Sequence, residues 1–150
     1  MAFSNEFASW GLFAECEVVI PELWDAEKNT AAVMDLVVSA PGGITRYLID
    51  VRTVDGRCAH GFSTQAAALA DAAAGKHRRY GPAVWPFVME LRGQTHFDAC
   101  LVLECLAGEA AQLPGAASAQ VLLRSWRHAL ECTLAFESAE ACRFSQRGAT

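Results

Sequence analysis

The 150-residue chain, with 53% apolar and 19% charged residues and a mean hydropathy of +0.18, is too apolar for disorder and long enough for one core without staples. No apolar run approaches the roughly 18 residues that would span a bilayer, and a formal net charge of −5 disfavours broad electrostatic coating of nucleic acid. That charge is unevenly spread: residues 1–45 carry seven acids and one lysine, whereas residues 46–92 carry seven bases and four acids.

The opening "MAFSNEFASWGLFAE" has no basic residue and two acids, so neither a secretory nor a mitochondrial signal is expected there, and an intracellular location follows as the default expectation. A short helical turn is expected around "FASWGLF". Six cysteines, at 16, 58, 100, 105, 132 and 142, form no Cys-x-x-Cys pair and sit in apolar segments, which predicts buried or partly buried free thiols rather than disulfides or a zinc site. The nearest approach to a metal motif among them, Cys58 with His60, lacks a second ligand pair.

Two runs rich in β-branched residues, 16–23 and 31–40, predict strands, and "PGG" at 41–43 predicts a turn into a third strand over 44–54. "STQAAALADAAAGKHRRYG" predicts a helix from an N-cap at Ser63 or Thr64 to a stop at Gly81-Pro82. A strand follows over 83–93. Beyond Gly93 the apolar spacing changes to three and four residues, predicting two helices separated by "PGAAS" and a frayed "SQRGAT" tail. The expected order is β-β-β-α-β-α-α: a single α/β (α+β) domain over 1–150, with a mixed sheet of about four strands flanked by helices.

Alternation on the third strand places Leu48, Asp50, Arg52 and Val54 on one face and Tyr47, Ile49 and Val51 on the other. Asp35 interrupts an otherwise apolar strand, and pairing through the Pro-Gly-Gly turn would bring it to the same end of the hairpin as Asp50. Two neighbouring carboxylates in apolar strands need a cation, a proton or an arginine. Mg²⁺ is one such cation, taking carboxylate oxygens and keeping several waters; the bland alternative is a pair of solvated strand-end acids. Arg52 reads either as a fixed site cation or as the salt-bridge partner of Asp50 or Asp55.

On the helix, Gln65 and Lys76 share a stripe with Leu69 and Ala72, so Gln65 is a candidate for an active-site or substrate-backbone-positioning role, and Lys76 can face the acids or can be a solvated cation near the helix C-terminus. One turn on, Arg79 can meet a phosphate and Tyr80 can stack or pack. Glu17 is a candidate third acidic ligand or part of an acidic surface, and Glu90 a peripheral ligand or an edge charge. His60, His77, His96 and His128 show no ligand spacing, and Trp126 with Leu122, Leu123 and Leu130 reads as core or interface.

The arrangement "MDLVV…YLIDVRTV…ALADAAAGKHRRY…VWPFVMELRG" resembles the PD-(D/E)xK restriction-endonuclease-like superfamily, and looks closest to the restriction-like endonuclease domain of non-LTR retrotransposons. The resemblance covers about residues 31–93, leaving 94–145 as a C-terminal helical part. It implies a restriction-endonuclease-like fold, with Asp35 and Asp50 as the two metal-binding acids, Lys76 as the lysine moved from strand to helix, and Tyr80 as the tyrosine after it. It further implies an Mg²⁺-dependent DNA endonuclease, with Mn²⁺ as a possible substitute, nicking DNA beside a reverse-transcriptase module in the nucleus. Met34 stands where the family has Pro, and Arg52 where its strand lysine stands. The alternative is a catalytically silent nuclease fold that binds DNA or protein, and the apolar C-terminal helices could support a homodimer.

Overall fold

The computed structural model describes residues 2–55 and 64–147, with side chains from 3 to 133 within those ranges. Cys58, His60, the Ser63 cap option and the end of the expected tail lie outside the described residues. The elements are α1 (Ala2–Ser9), β1 (Phe13–Asp25), β2 (Thr30–Ser39), β3 (Arg46–Val54), α2 (Gln65–Tyr80), β4 (Val84–Glu90), α3 (Phe97–Ala110) and α4 (Ala119–Arg147). The four strands form one sheet in the order β1-β2-β3-β4. The first three make an antiparallel meander, and α2 carries the chain over to β4, which runs parallel to β3. This is a mixed α/β fold in the expected chain order.

Local chemistry sets the element ends. Between β2 and β3, Pro41 and Gly42 form the centre of a turn closed by the Gly43 N–H on the Ala40 carbonyl at 2.9 Å. Gly42 takes φ 70°, a left-handed value that only glycine adopts readily at the third position of such a turn. The α2 helix starts at Thr64, whose hydroxyl accepts the Ala67 N–H, and stops at Gly81 with φ 77°, as cap chemistry dictates. The fourth strand ends three residues before its expected limit because the chain turns back: Gln94 accepts the Glu90 N–H at 2.7 Å and Val88 accepts the His96 N–H at 2.8 Å. Pro86 is tolerated in β4 because that strand is a sheet edge.

Helices α1, α3 and α4 cover one face of the sheet. Their core joins Phe7, Trp10, Val102, Leu106 and Trp126 to Leu36, Val38, Ile49 and Phe87. Phe7 stacks on Trp126 with ring centroids 5.2 Å apart, so Trp126 is core, as its helical spacing with Leu122 and Leu130 suggests. The opposite face receives α2 through Leu69, Ala72 and Ala73 against Val88, and through Tyr80 against Val37, Met34 and Val84. The cysteines correct one expectation: Cys16, Cys100, Cys105 and Cys132 are free but exposed, because the apolar runs that hold them turn another face inward. No helix among the described residues is long and apolar enough to cross a membrane.

Candidate functional site

The antiparallel ladder between β2 and β3 runs from Ser39 with Arg46 to Leu36 with Ile49. One step further along that register, Asp35 faces Asp50. The Asp35 carboxylate reaches across, its Oδ2 accepting the Val51 N–H at 2.7 Å. A side chain thus takes a strand amide at the point where the two strands stop pairing. The charge of Asp35 acts on Asp50, so the two carboxylates are electrostatic neighbours at this end of the hairpin.

Asp50 is the more constrained of the two, only 4% exposed on β3 and aligned with Pro86 on β4. Its Oδ2 is buried without a hydrogen bond of ordinary geometry, and its compensation is an ion pair with the Lys76 ammonium. Burial pushes the Asp50 carboxyl above the usual carboxylate range; Lys76 pulls it back, and the charge of Asp35 pushes it up again. Lys76 reaches the sheet because Leu69, Ala72 and Ala73, on the same side of α2, are buried against Val88. At the other end of that stripe Gln65 Nε2 donates to Glu90 Oε1 at 3.3 Å. Gln65 therefore sits by Glu90, which is 2% exposed and also accepts the Arg92 N–H at 3.2 Å.

Tyr80 is 7% exposed, and burial, with the negative charge of Asp50 next in weight, pushes its hydroxyl up to about 12. Its place is in the packing under the acids rather than on an open stacking surface. Arg79 is committed elsewhere than a free phosphate-binding guanidinium would be. Its Nε and Nη2 donate to the two carboxylate oxygens of Asp25 at 2.9 and 2.5 Å, its Nη1 lies 2.9 Å from Glu27, and its guanidinium covers the Tyr80 ring at 4.9 Å. Arg52 is exposed, two residues beyond Asp50 and in register with Val88; the cation paired with Asp50 is Lys76.

Glu17 is exposed on β1, between the pairs Cys16–Leu36 and Val18–Met34 and hence across from Asp35. Its φ of 54° is left-handed for a residue that is not glycine, a conformation costing on the order of 1–3 kcal/mol that concentrates at functional sites. Of the candidate residues, the structure gathers Asp35, Asp50, Lys76 and Tyr80 on the α2 side of the sheet, with Gln65 and Glu90 at the far end of the same helix. Among the described residues no group of three or more His, Cys, Asp or Glu is arranged to hold a metal, so the acid pair has no third ligand of that kind in place. Among the described histidines, His77 Nε2 lies 3.0 Å from Asp98, and His96 caps α3.

Two polar features were not singled out from sequence. Asp25, 1% exposed, takes the Glu27 and Lys28 N–H groups on Oδ1 at 3.1 and 3.2 Å. The hydrogen bond from Arg79 outweighs burial and holds its carboxyl down at about 2. The turn-forming half of this role is local, in an Asp followed by "AEKN", whereas the Arg79 half joins residues 54 positions apart. Tyr47 donates to Glu109 Oε1 at 2.6 Å, a second link between distant elements. A groove of about 530 Å³, lined by Leu103, Leu123, Trp126 and Leu130 with Arg92 and Glu131 among its polar residues, lies on the α3–α4 side, away from the acid pair.

No family model, no curated protein and no solved structure matches this chain.

Proposed function

We propose that this domain is a metal-dependent endonuclease that hydrolyses phosphodiester bonds in DNA, with Asp35 and Asp50 as metal ligands and Lys76 as the site's cation. The observation carrying this reading is the meeting of two carboxylates where β2 and β3 stop pairing, with an ammonium from α2 set against the buried one. The donor set fits Mg²⁺, or Mn²⁺ in its place: one or two carboxylates with waters completing the shell are its ordinary protein ligands, and the buried Asp50 oxygen already faces a cation, the Lys76 ammonium. Glu17, across from Asp35 in the β1–β2 register, is the candidate for an outer contact.

When bound, the metal ion supplies a Lewis acid for the phosphoryl oxygens and lowers the pKa of a water. This chain's own residues do the rest. Asp50 is held in place by burial, and Asp35 by its bond to the Val51 amide. Lys76 offers positive charge to a developing phosphorane, which is worth most in a partly desolvated site. Arg52, exposed beside them, adds charge toward an approaching strand and cannot act as a base. Tyr80, with its hydroxyl near 12, stays protonated at neutral pH and serves as packing. The PD-(D/E)xK resemblance, with its order of acid strand, acid strand, lysine helix and proline strand, supports the same reading. Through it come DNA as substrate, a reverse-transcriptase module as neighbour and a nuclear setting.

A second reading has its own observations in favour: with Asp50 already paired to Lys76, and Arg79 to Asp25, the fold can stand as a silent module for DNA binding or dimerisation. Supercoiled plasmid incubated with Mg²⁺ or Mn²⁺ separates the two. Nicking by the parent that is lost in Asp50→Ala supports the enzyme; no nicking by either, together with retarded DNA migration in a gel-shift assay, supports the silent module.

A further inference from the structure

We infer that Lys76 is a resident counter-ion that a divalent metal must displace from Asp50, and that its release creates the subsite for a phosphate-like anion, so that metal binds first and anion second. This rests on the metal reading of Asp35 and Asp50 and adds to it an order of binding.

The argument begins with the occupied oxygen. Asp50 Oδ2 is buried, lacks a hydrogen bond of ordinary geometry and faces the Lys76 ammonium. A metal using the same carboxylate meets a positive charge already at contact. At such a distance, and with side chains only 6% and 15% exposed for the acid and the lysine, like charges are poorly screened. Metal and ammonium therefore compete for Asp50.

Where the lysine goes follows from its neighbours. The other buried acids near α2 are already engaged, Asp25 by both arms of Arg79 and Glu90 by Gln65 and the Arg92 amide. Lys76 sits one turn before the end of α2 on a flexible four-carbon stem, which lets its head turn outward while the stem stays packed. A displaced ammonium next to a bound divalent ion is a site for an anion that touches both, which is the geometry of a phosphodiester. Because the metal frees the lysine, metal and anion must strengthen each other's binding by equal factors.

The test is calorimetry on the full chain with Mn²⁺ alone and with dimethyl phosphate, an unreactive phosphodiester. Lys76→Met is expected to bind Mn²⁺ at least tenfold more tightly than the parent. The parent is expected to bind dimethyl phosphate at least fivefold more tightly with Mn²⁺ than without, and Lys76→Met to lose that gain. Equal Mn²⁺ affinity in parent and variant overturns the displacement and leaves the metal reading standing; absence of Mn²⁺ binding in both overturns the metal reading and the displacement with it. Should Lys76→Met fail to fold, the ε-methylene resonance of Lys76 in the parent decides: it shifts on saturation with Mg²⁺ if the ion pair opens, and an unmoved resonance in metal-loaded protein overturns the inference.

Discussion

Replacing Asp25 by Asn and, separately, Asp50 by Asn is expected to have unlike effects on stability, although both acids are buried on the sheet and both carry an ion pair to α2. Asp25 accepts four hydrogen bonds, two from Arg79 and two from backbone N–H groups, and its charge is so well matched that its carboxyl is held down at about 2. The amide cannot neutralise Arg79, whose side chain is only 16% exposed. Breaking one partner of a buried pair costs roughly 3–5 kcal/mol; because Glu27 still lies 2.9 Å from the Arg79 guanidinium, the lower end applies, and about 3 kcal/mol at about 2–4 °C per kcal/mol for a domain of this size lowers Tm by about 6–12 °C. Asp50 has the opposite balance, because burial outweighs the help from Lys76. Asparagine removes a costly charge, and the lysine head can turn to water, so the change is expected to lie between neutral and about 2 kcal/mol stabilising. Thermal unfolding at neutral pH in EDTA measures both. A loss of stability in Asp50→Asn as large as that in Asp25→Asn would refute the reasoning, since it would make Asp50 a structural ion-pair member of the same kind.

Three further expectations follow from the same contacts. The pH dependence of stability separates the acids: the raised carboxyl of Asp50 means that stability declines as pH rises from the ordinary carboxylate value of 3.8 through its folded value, and Asp50→Asn is expected to remove that decline in metal-free unfolding curves. For Asp25 the sign is reversed, its contribution being present above 3.8 and lost as pH falls toward about 2; Asp25→Asn should flatten the acid limb. Trp126→Ala, which empties the ring cluster formed with Phe3, Phe7 and Phe87, is expected to cost about 3–5 kcal/mol by urea titration, and a loss below about 1 kcal/mol would show that α4 is not part of the core. Gly81→Ala, where φ 77° and ψ −170° form a backbone conformation essentially restricted to glycine although a Cβ meets no atom, is expected to cost about 1–3 kcal/mol from backbone conformation alone, measured by urea titration.

Much of the fold was legible because local rules and global packing agree. The period-two runs, the Pro-Gly-Gly turn and the alanine-rich helix between a Thr cap and a Gly stop each specify an element without help from the rest. The strand limits were read less well where a distant contact decides them. The first strand runs to Asp25, which pairs with Thr30 of β2 and is gripped by Arg79, and the fourth stops at Glu90 because Gln94 and His96 fold back onto it. The exposed cysteines show the same limit: residue type predicts burial on average, while the face a thiol occupies depends on which neighbours pack.

For the site, alternation placed Asp50 and Arg52 on one face, and helical spacing placed Lys76 with Gln65, Leu69 and Ala72. Choosing between Arg52 and Lys76 as the partner of Asp50 needed the packing of α2 on the sheet, which no local pattern encodes. The same holds for Arg79. Its sequence context in "KHRRY" suits a phosphate as well as a carboxylate, and only the return of the β1–β2 hairpin to the end of α2 gives it to Asp25. Glu17 carries no sequence signal of its left-handed backbone, since glutamate rarely adopts one.

The most direct measurement is anomalous diffraction from crystals soaked in Mn²⁺. The proposed site calls for a peak lying at about 2.0–2.3 Å from an oxygen of Asp35 and an oxygen of Asp50, with the Lys76 ammonium turned away from Asp50. Mn²⁺ bound elsewhere while Asp50 and Lys76 remain paired, or no peak at a concentration that supports nicking, would contradict it.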